Sequence, residues 1–351
     1  MGTINFLSAM LCEVGKPELT NLIGKFIQVL YDAIGSFGWT VIVFTIILKV
    51  ALSPLDVWQK VSGRKQSKAM ERIQPQIQKL QKQYANRPDI LRVKQGELMK
   101  KEKFSYFSSC LPMIITMVVF FVIFSGFNAM VKYNNEMNVY NMYLLYNQNI
   151  ALVESGAMTQ DALNTLLATN YRVEPFLWID NIFMSDSWVN VVPTFEEFTK
   201  SGLGGLNGDM PDGINIPNPY ETLIQPAMNL YNKTKFWNIG KWNGYMILPI
   251  LSVVVTIFST KLMQATTPQA SMMSAGGNDQ QQKSQQASMK VMTYMMPVMI
   301  GVFALFYSAA FTLYLFVSNL ISTVFNLIFN LVAKKKDAKE KDEILSNTFR
   351  R

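Results

Sequence analysis

The sequence contains no histidine, only two cysteines and few charged residues, and each shortage excludes a class of function. Without histidine, a Ser-His-Asp triad, a Cys-His pair and any histidine metal site are excluded. Cys12 and Cys110 lie far apart in sequence, so we expect no structural disulfide, and two thiols do not form a zinc site unaided. We therefore expect no enzymatic activity, no cofactor and no metal site.

The scarcity of charge is typical of a membrane protein. Only 16% of the 351 residues are charged, against roughly 25% in a soluble chain. Four stretches are as long as the roughly 20 residues that cross a bilayer. Three of them have no charged residue, and the first has only Lys49. The last, residues 291–333, is twice as long as one crossing, so we divide it near Tyr307–Ala310. The sequence thus predicts an all-α protein with transmembrane helices at 37–55, 105–130, 244–263, 291–308 and 309–332.

The distribution of basic residues predicts the orientation, because Lys and Arg are retained on the cytoplasmic side. Residues 59–104 hold 13 Lys plus Arg against 4 acidic residues, whereas residues 131–243 hold 6 against 11. Residues 261–290 hold 3 bases and 1 acid, and the tail from residue 333 holds 7 and 4. These counts place the N-terminus outside and the C-terminus inside. The basic segments suit anionic lipid, with ribosomal RNA as the alternative partner.

Two segments outside the spans have helical patterns. Residues 1–36 are the predicted extracytoplasmic N-terminus, in which residues 18–35 have the apolar spacing of a surface-lying amphipathic helix. Residues 56–104 predict a cytoplasmic helical hairpin with an apolar stripe that includes Ile73 and Ile77. Pairing of the two arms explains this stripe, and a landing platform for a partner or nascent chain is the alternative.

The remaining connections differ in composition. Residues 131–243 are an extended extracytoplasmic segment, expected to lie on the membrane as short helices with an irregular part at 201–219. Residues 264–290, rich in Gln, Ser and Met, predict a flexible cytoplasmic loop. Residues 333–351 form a basic cytoplasmic tail.

Lys49 is the charged residue within the four apolar stretches, and Thr45 and Ser53 lie four residues away on either side. Residues spaced by four share one helix face. A charge at the centre of a span costs roughly 2.5–3.5 kcal/mol and usually faces a polar cavity. Snorkelling of the lysine stem towards the cytoplasm is the alternative. The three residues are therefore candidates for a hydrated groove.

Other spans supply hydroxyl and amide groups but no carboxylate to pair with Lys49. This composition argues against a proton relay or an ion-pair lock and favours a groove in which the lysine is hydrated. Ser and Thr in spans also bond their own backbone or a neighbouring helix, which is the alternative for each hydroxyl. The further candidates for the groove are Thr116, Ser259, Thr312 and Asn319.

A set of short motifs occurs in order between residues 38 and 320. The motifs are Gly38-Trp39, Phe44 to Leu55 with its embedded base, Ile73-Gln74-Pro75, Cys110-Leu111-Pro112, Phe176-Leu177-Trp178-Ile179, Ile247-Leu248-Pro249-Ile250-Leu251, Met295-Met296-Pro297, Leu313-Tyr314 and Val317-Ser318-Asn319. Each motif is short, but the ordered set with five spans resembles the bacterial YidC insertases of the YidC/Oxa1/Alb3 family.

The resemblance implies a bacterial plasma-membrane protein with a groove open to the cytoplasm and the lipid and closed on the outside. Polar segments of a client would enter the groove near Lys49, while apolar segments slide along the protein into lipid. The implied partners are nascent membrane proteins, the ribosome, the Sec translocon and membrane lipids. The long first periplasmic domain of Gram-negative members has no counterpart in this sequence, which implies a Gram-positive-type member.

The sequence departs from the family pattern at several positions. The family usually has arginine, glutamine and proline where this chain has Lys49, Thr116 and Val118, and a Tyr-Trp pair at Tyr314-Leu315. Its outer segment is also longer than usual. A membrane insertase and chaperone is the leading hypothesis. A transporter or channel with Lys49 in the pathway is the alternative, although the sequence has no internal repeat typical of transporters.

Overall fold

The computed structural model describes residues 15–84, 86–101, 106–232, 242–266, 294–295 and 297–349. Most of these residues are helical, and an isolated β-bridge joins Phe176 and Ile179. Residues 297–304 form a short helical segment before the last helix. The helices are α1 Leu22–Ile34, α2 Phe37–Gln83, α3 Pro88–Lys101, α4 Tyr106–Glu154, α5 Gln160–Asn170, α6 Phe195–Thr199, α7 Pro219–Tyr231, α8 Ile247–Thr266 and α9 Ala309–Phe349.

The chain divides into two compact units. Unit 1 comprises Met1–Phe44, Phe120–Leu251 and Gly301–Leu315, and unit 2 comprises Thr45–Val119, Ser252–Ile300 and Phe316–Arg351. The predicted loop at 264–290 falls almost entirely outside the described residues, as do residues 1–14 and the first residues of the predicted span at 291–308.

Three helices among the described residues are long and apolar enough to cross a membrane. They cover Phe37–Lys65, Ile114–Glu154 and Ala309–Lys336, and Ile247–Leu262 is a shorter apolar helix. Outward-facing apolar side chains are abundant on them, and Val50 of α2 is 68% exposed. The prediction of a helical membrane protein is confirmed. The number of crossings and their orientation stay predictions.

The long helices continue past the predicted membrane boundaries. Helix α2 runs from the first predicted span through the first arm of the hairpin, with Pro54 and Pro75 inside it. Its 47 residues correspond to about 70 Å at the usual helical rise. Helix α9 likewise includes most of the predicted tail. A change from apolar to charged side chains marks a membrane boundary but does not end a helix, since Lys, Glu and Gln are good helix formers.

Helix α1 has the amphipathic character that its spacing predicts. The Asn21 side chain accepts a hydrogen bond from the Gly24 amide at the N-terminus, and Gly35 ends the helix with a left-handed φ of 77°. Ile27 and Tyr31 are buried, whereas Leu22 is 80% exposed. In unit 1 the Tyr31 hydroxyl contacts both Glu174 and Arg172, which attaches α1 to the segment after α5.

The long segment after the second span has a hydrophobic core of its own in unit 1. Helix α5 packs against α7, and side chains from α4 and α6 join them. Such a core buries the apolar faces of the short helices against one another. The buried members are Val139, Met142, Tyr143, Leu163, Leu167, Tyr171, Val192, Phe198, Tyr220, Leu223, Ile224 and Ala227.

Two buried tyrosines make this core sensitive to high pH. Burial raises the pKa of Tyr171 and of Tyr220 above the usual value, and the Tyr220 hydroxyl donates to the Pro193 carbonyl at 2.7 Å. The pKa of each tyrosine is higher in the folded state than in the unfolded state. Its contribution to the free energy of unfolding is therefore complete below about pH 10 and is lost as the pH rises above this value. Each phenol then contributes a slope of about 1.4 kcal/mol per pH unit.

We therefore expect the melting temperature of the purified protein in detergent to fall steeply as the pH rises from about 10 to about 12. The Tyr220→Phe variant loses a hydrogen bond but should show a shallower fall over the same range, because the buried phenol that titrates is gone. Tyr245, which is exposed, provides the matched control Tyr245→Phe. Equal pH slopes for all three proteins would contradict this expectation.

The hairpin arms pair through the predicted stripe in unit 2. Ile73 and Ile77 of α2 are fully buried, and Leu98 and Met99 of α3 pack against them. This packing fits the interpretation that the stripe joins the two arms. The charged faces of the hairpin point to solvent. One example is the exposed Lys94–Glu97 ion pair on α3, at 2.9 Å.

Candidate functional site

Lys49 reaches across unit 2 to the last helix. It lies on α2, is half-buried, and its Nζ donates a hydrogen bond to the Ser322 hydroxyl of α9 at 2.8 Å. The contact places the cation between two helices, beside a hydroxyl group.

Two more basic residues of α2 contact α9 further along both helices. Lys60 lies over the Phe325 ring, 4.0 Å from its centroid, and Arg64 donates to the Ala333 carbonyl at 3.1 Å. Residue numbers therefore increase together along the two helices, so α2 and α9 are parallel. Parallel packing aligns one face of α2 with one face of α9 over several turns.

A second polar contact joins α9 to α8. The Asn319 side-chain amide donates to the Thr256 hydroxyl at 2.7 Å, and Thr256 in turn donates to the Ser252 carbonyl at 2.6 Å. Asn319 and Ser322 are three residues apart on α9, and so they share a face. We call Lys49, Ser252, Thr256, Asn319 and Ser322 the polar seam of unit 2.

The polar seam retains unused hydrogen-bonding capacity. The hydroxyl of Ser252 is fully buried and has no partner among the described residues. A buried polar atom without a partner costs about 1–3 kcal/mol, so sequences retain few of them without a functional reason.

The structure places the seven predicted site residues in different environments. Lys49 and Asn319 belong to the polar seam, and Ser259 is half-buried one turn after Thr256 on α8. Ser53 donates to the Val50 carbonyl of its own helix at 2.8 Å. The Ser53 hydroxyl therefore bonds its own backbone, which is the alternative to facing the groove.

The other three candidates have different environments. Thr45 is fully buried, and Thr116 is exposed. Thr312 belongs to unit 1, is fully buried, and donates to the Ser308 carbonyl of its own segment at 3.3 Å. The Thr312 hydroxyl therefore bonds its own backbone, which is the alternative expected for a hydroxyl in a span.

Sequence reasoning missed Ser322 and Ser252. Ser322 follows Asn319 by three residues, and Ser252 precedes Thr256 by four, so both continue a polar helix face that the sequence already displays. Helical spacing could have found them. Which of these faces meets Lys49 depends on helix pairing, which spacing alone does not provide.

In unit 1, the loop of residues 176–187 caps the starts of two helices. The carboxylate of the fully buried Asp186 accepts hydrogen bonds from the amides of Met246 and Leu248, at 3.0 and 2.7 Å, and from the Trp178 indole at 3.1 Å. A carboxylate at a helix N-terminus satisfies free amides and interacts favourably with the helix dipole. Asp186 therefore fixes the start of α8.

The same loop also satisfies the first amides of α9. The amide of Ala309 donates to the Met184 carbonyl at 2.8 Å, and that of Ala310 donates to the Ile182 carbonyl at 3.0 Å. The family-like motif Phe176-Leu177-Trp178-Ile179 opens this loop, and Leu177 has a φ of 55°. The motif thus belongs to a structural cap in unit 1 and not to the polar seam.

The described part of the chain has no recognisable metal centre. Groups of three or more Asp, Glu, Cys or His residues arranged to hold a metal ion do not occur there. The polar seam offers one cation, hydroxyls and a carboxamide, which can form hydrogen bonds with polar groups.

The fold and the polar seam define a helical, multi-pass membrane protein with a cation held between helices. Residues 29–337 match the family described as 60Kd inner membrane protein. The chain belongs to this family, the YidC/Oxa1 family, as the ordered motifs predict. Its apolar helices and its membership of this family show that it is a multi-pass protein of the bacterial inner membrane.

Several relatives carry the name membrane protein insertase YidC. The protein of Fusobacterium nucleatum subsp. nucleatum is 32% identical over 108 residues, which are 30% of this chain and 51% of the relative. That of Helicobacter pylori is 31% identical over 126 residues, 35% and 22% of the two chains. That of Leptospira interrogans is 25% identical over 178 residues, 50% and 21%. The chain thus spans half the length of the first relative and about a fifth of the other two.

Proposed function

We propose that this protein is a membrane protein insertase and chaperone, which moves client proteins into the bilayer through a hydrophilic groove open to the cytoplasm and the lipid. The polar seam around Lys49 forms the client-binding surface of the groove. Membership of the family and the insertase names of three relatives support the proposal.

The observation that carries the proposal is the contact of Lys49 with Ser322 in the polar seam. Moving a polar segment through hydrocarbon is costly because its hydrogen-bonding groups lose water. A cation, hydroxyls and a carboxamide between helices replace part of that hydration. The positive charge additionally attracts acidic groups of the client.

Exposed apolar side chains provide the complementary surface for the client's apolar segment. On α2, Trp39 is 57% exposed and Val50 is 68% exposed, next to Lys49 in sequence. Helix α2 makes a polar contact on one side and exposes apolar residues on the other. A client can therefore place its polar segment against the polar seam and its apolar segment against the exposed residues. The apolar segment of the client then slides along α2 into lipid.

The parallel packing of α2 and α9 supports five crossings with the N-terminus outside and the C-terminus inside. Two parallel helices cross the membrane in the same direction, so an odd number of crossings separates them. Helices α4 and α8 and the predicted span at 291–308 supply three. The basic hairpin and the basic end of α9 then lie on the cytoplasmic side, as the positive-inside rule requires.

The partners that follow from this arrangement are nascent membrane proteins, the ribosome, the Sec translocon and membrane lipids. The hairpin of α2 and α3 presents a basic surface to an emerging chain. Lys334, Lys335 and Lys336 on α9 are exposed and attract anionic lipid or ribosomal RNA.

The proposal is tested with purified protein in vesicles and a radiolabelled client made by cell-free translation. We expect protease-protected, correctly oriented client only in vesicles that contain the protein. The same vesicles loaded with small solutes separate the alternative function, since a transporter or channel produces substrate-dependent flux. Flux without client insertion would overturn the proposal.

A further inference from the structure

A second basic residue, Lys60, lies further along the face of α2 that carries Lys49. Asp56 and Lys60 follow Lys49 by seven and eleven residues, which are about two and three helical turns. The three charged side chains therefore share one face, in the order cation, anion, cation. Asp56 interacts electrostatically with both lysines.

Lys60 faces the same surface of α9 as Lys49. Its Nζ is 4.0 Å from the centroid of Phe325 and 5.7 Å from that of Phe329. Phe325 follows Ser322, the partner of Lys49, by three residues on one face of α9. The contacts of both lysines thus lie along one line between two parallel helices.

The charge of Lys60 is not needed for the packing that it makes. Aromatic rings attract cations, but methionine or leucine would fill the same space against Phe325 and Phe329 without loss of hydration. A half-buried ammonium in an aromatic surrounding has lost water and attracts any carboxylate that approaches. Lys60 also precedes Lys49 on the path from the basic hairpin.

We propose that Lys60 is a second client-binding residue, which attracts acidic side chains in the polar segment of a client and transfers them to Lys49. Asp56 between the two lysines keeps the acidic segment from binding permanently at Lys60. This assignment rests on the proposed insertase function. It identifies acidic polar segments as the preferred class of client.

Two clients that differ only in charge test the assignment. One carries several Asp and Glu residues in its polar segment, and the other has Asn and Gln at the same positions. We expect the Lys60→Met variant to insert the acidic client about threefold to tenfold more slowly than the wild-type protein and the neutral client at the wild-type rate. Lys60→Arg should restore insertion of the acidic client.

Lys25→Met is the matched control, because Lys25 is an exposed lysine of α1, outside the polar seam and the hairpin, and its loss should affect neither client. An equal loss for both clients in Lys60→Met would assign Lys60 a packing role and overturn the proposal, and so would unchanged insertion of the acidic client. If Lys60→Met fails to fold, Lys60→Gln replaces it under the same criteria. Failure of the wild-type protein with both clients would instead overturn the insertase function itself.

Discussion

Replacement of Lys49 by alanine is expected to reduce client insertion about tenfold, whereas Lys49→Arg should retain most activity. The alanine variant loses both the cation and the hydrogen bond to Ser322. The arginine variant keeps a positive charge with several donors, although its planar guanidinium differs from an ammonium in geometry. The measurement is the initial rate of insertion into vesicles with equal amounts of each variant.

Leu152→Ala is the control for the Lys49 variants, since Leu152 is an exposed residue at the end of α4 and its replacement removes apolar surface without changing charge. We expect near wild-type insertion from it. Equal rates for wild type, Lys49→Ala and Lys49→Arg would show that the charge at position 49 is dispensable and would contradict a role for the polar seam.

Replacement of Asp186 by alanine is expected to have the largest effect on stability. It leaves the amides of Met246 and Leu248 and the Trp178 indole without their buried acceptor. Hydrogen bonds to a charged group contribute about 1.5–3 kcal/mol each, so the loss exceeds that of a typical substitution. We expect the melting temperature to fall by about 10 °C.

Hydrogen exchange locates this effect. The amides of Met246 and Leu248 should exchange slowly in the wild-type protein and much faster in Asp186→Ala, since the start of α8 frays without its cap. Asp161→Ala serves as the control, because Asp161 is an exposed residue in the first turn of α5 and its loss should cost at most about 1 kcal/mol. Equal melting temperatures for the two variants would refute the capping role of Asp186.

The sequence predicted the helical membrane class and the family because both depend on local information. Long charge-free stretches identify apolar helices, and the ordered motifs identify the YidC/Oxa1 family. Lys49 was predicted to be a site residue from its cost in an apolar span, and Asn319 because it is an amide within a predicted span. These inferences require only composition and helical spacing.

The partners of these residues could not be predicted, because pairing of distant helices decides them. Ser322 is 273 residues away from Lys49 in sequence, and nothing local distinguishes it from Thr312 or Ser318. The helix boundaries were equally inaccessible, since α2 passes the membrane boundary through Pro54 without ending. Asp186 caps a helix that begins about 60 residues later, which spacing rules do not detect.

The core of the long segment shows the same limit. Residues 139–170 have helical spacing, but the packing of α5 against α7 joins parts of the chain separated by the irregular residues between them. Apolar spacing indicates that a helix has a buried face and does not tell what covers it. In the sequence, membrane lipid was the natural partner for these helices, whereas the structure provides a protein core.

Site-specific photocrosslinking from α9 during client synthesis tests the central claim most directly. A photoreactive residue at position 322 keeps Lys49 in place, and one at position 324 is the control, since Val324 is 51% exposed and lies on the opposite face of α9. We predict that position 322 crosslinks to the polar segment of the client and position 324 to its apolar segment or to lipid. The absence of polar-segment adducts at position 322, or the same adducts from both positions, would contradict a client-binding groove at Lys49.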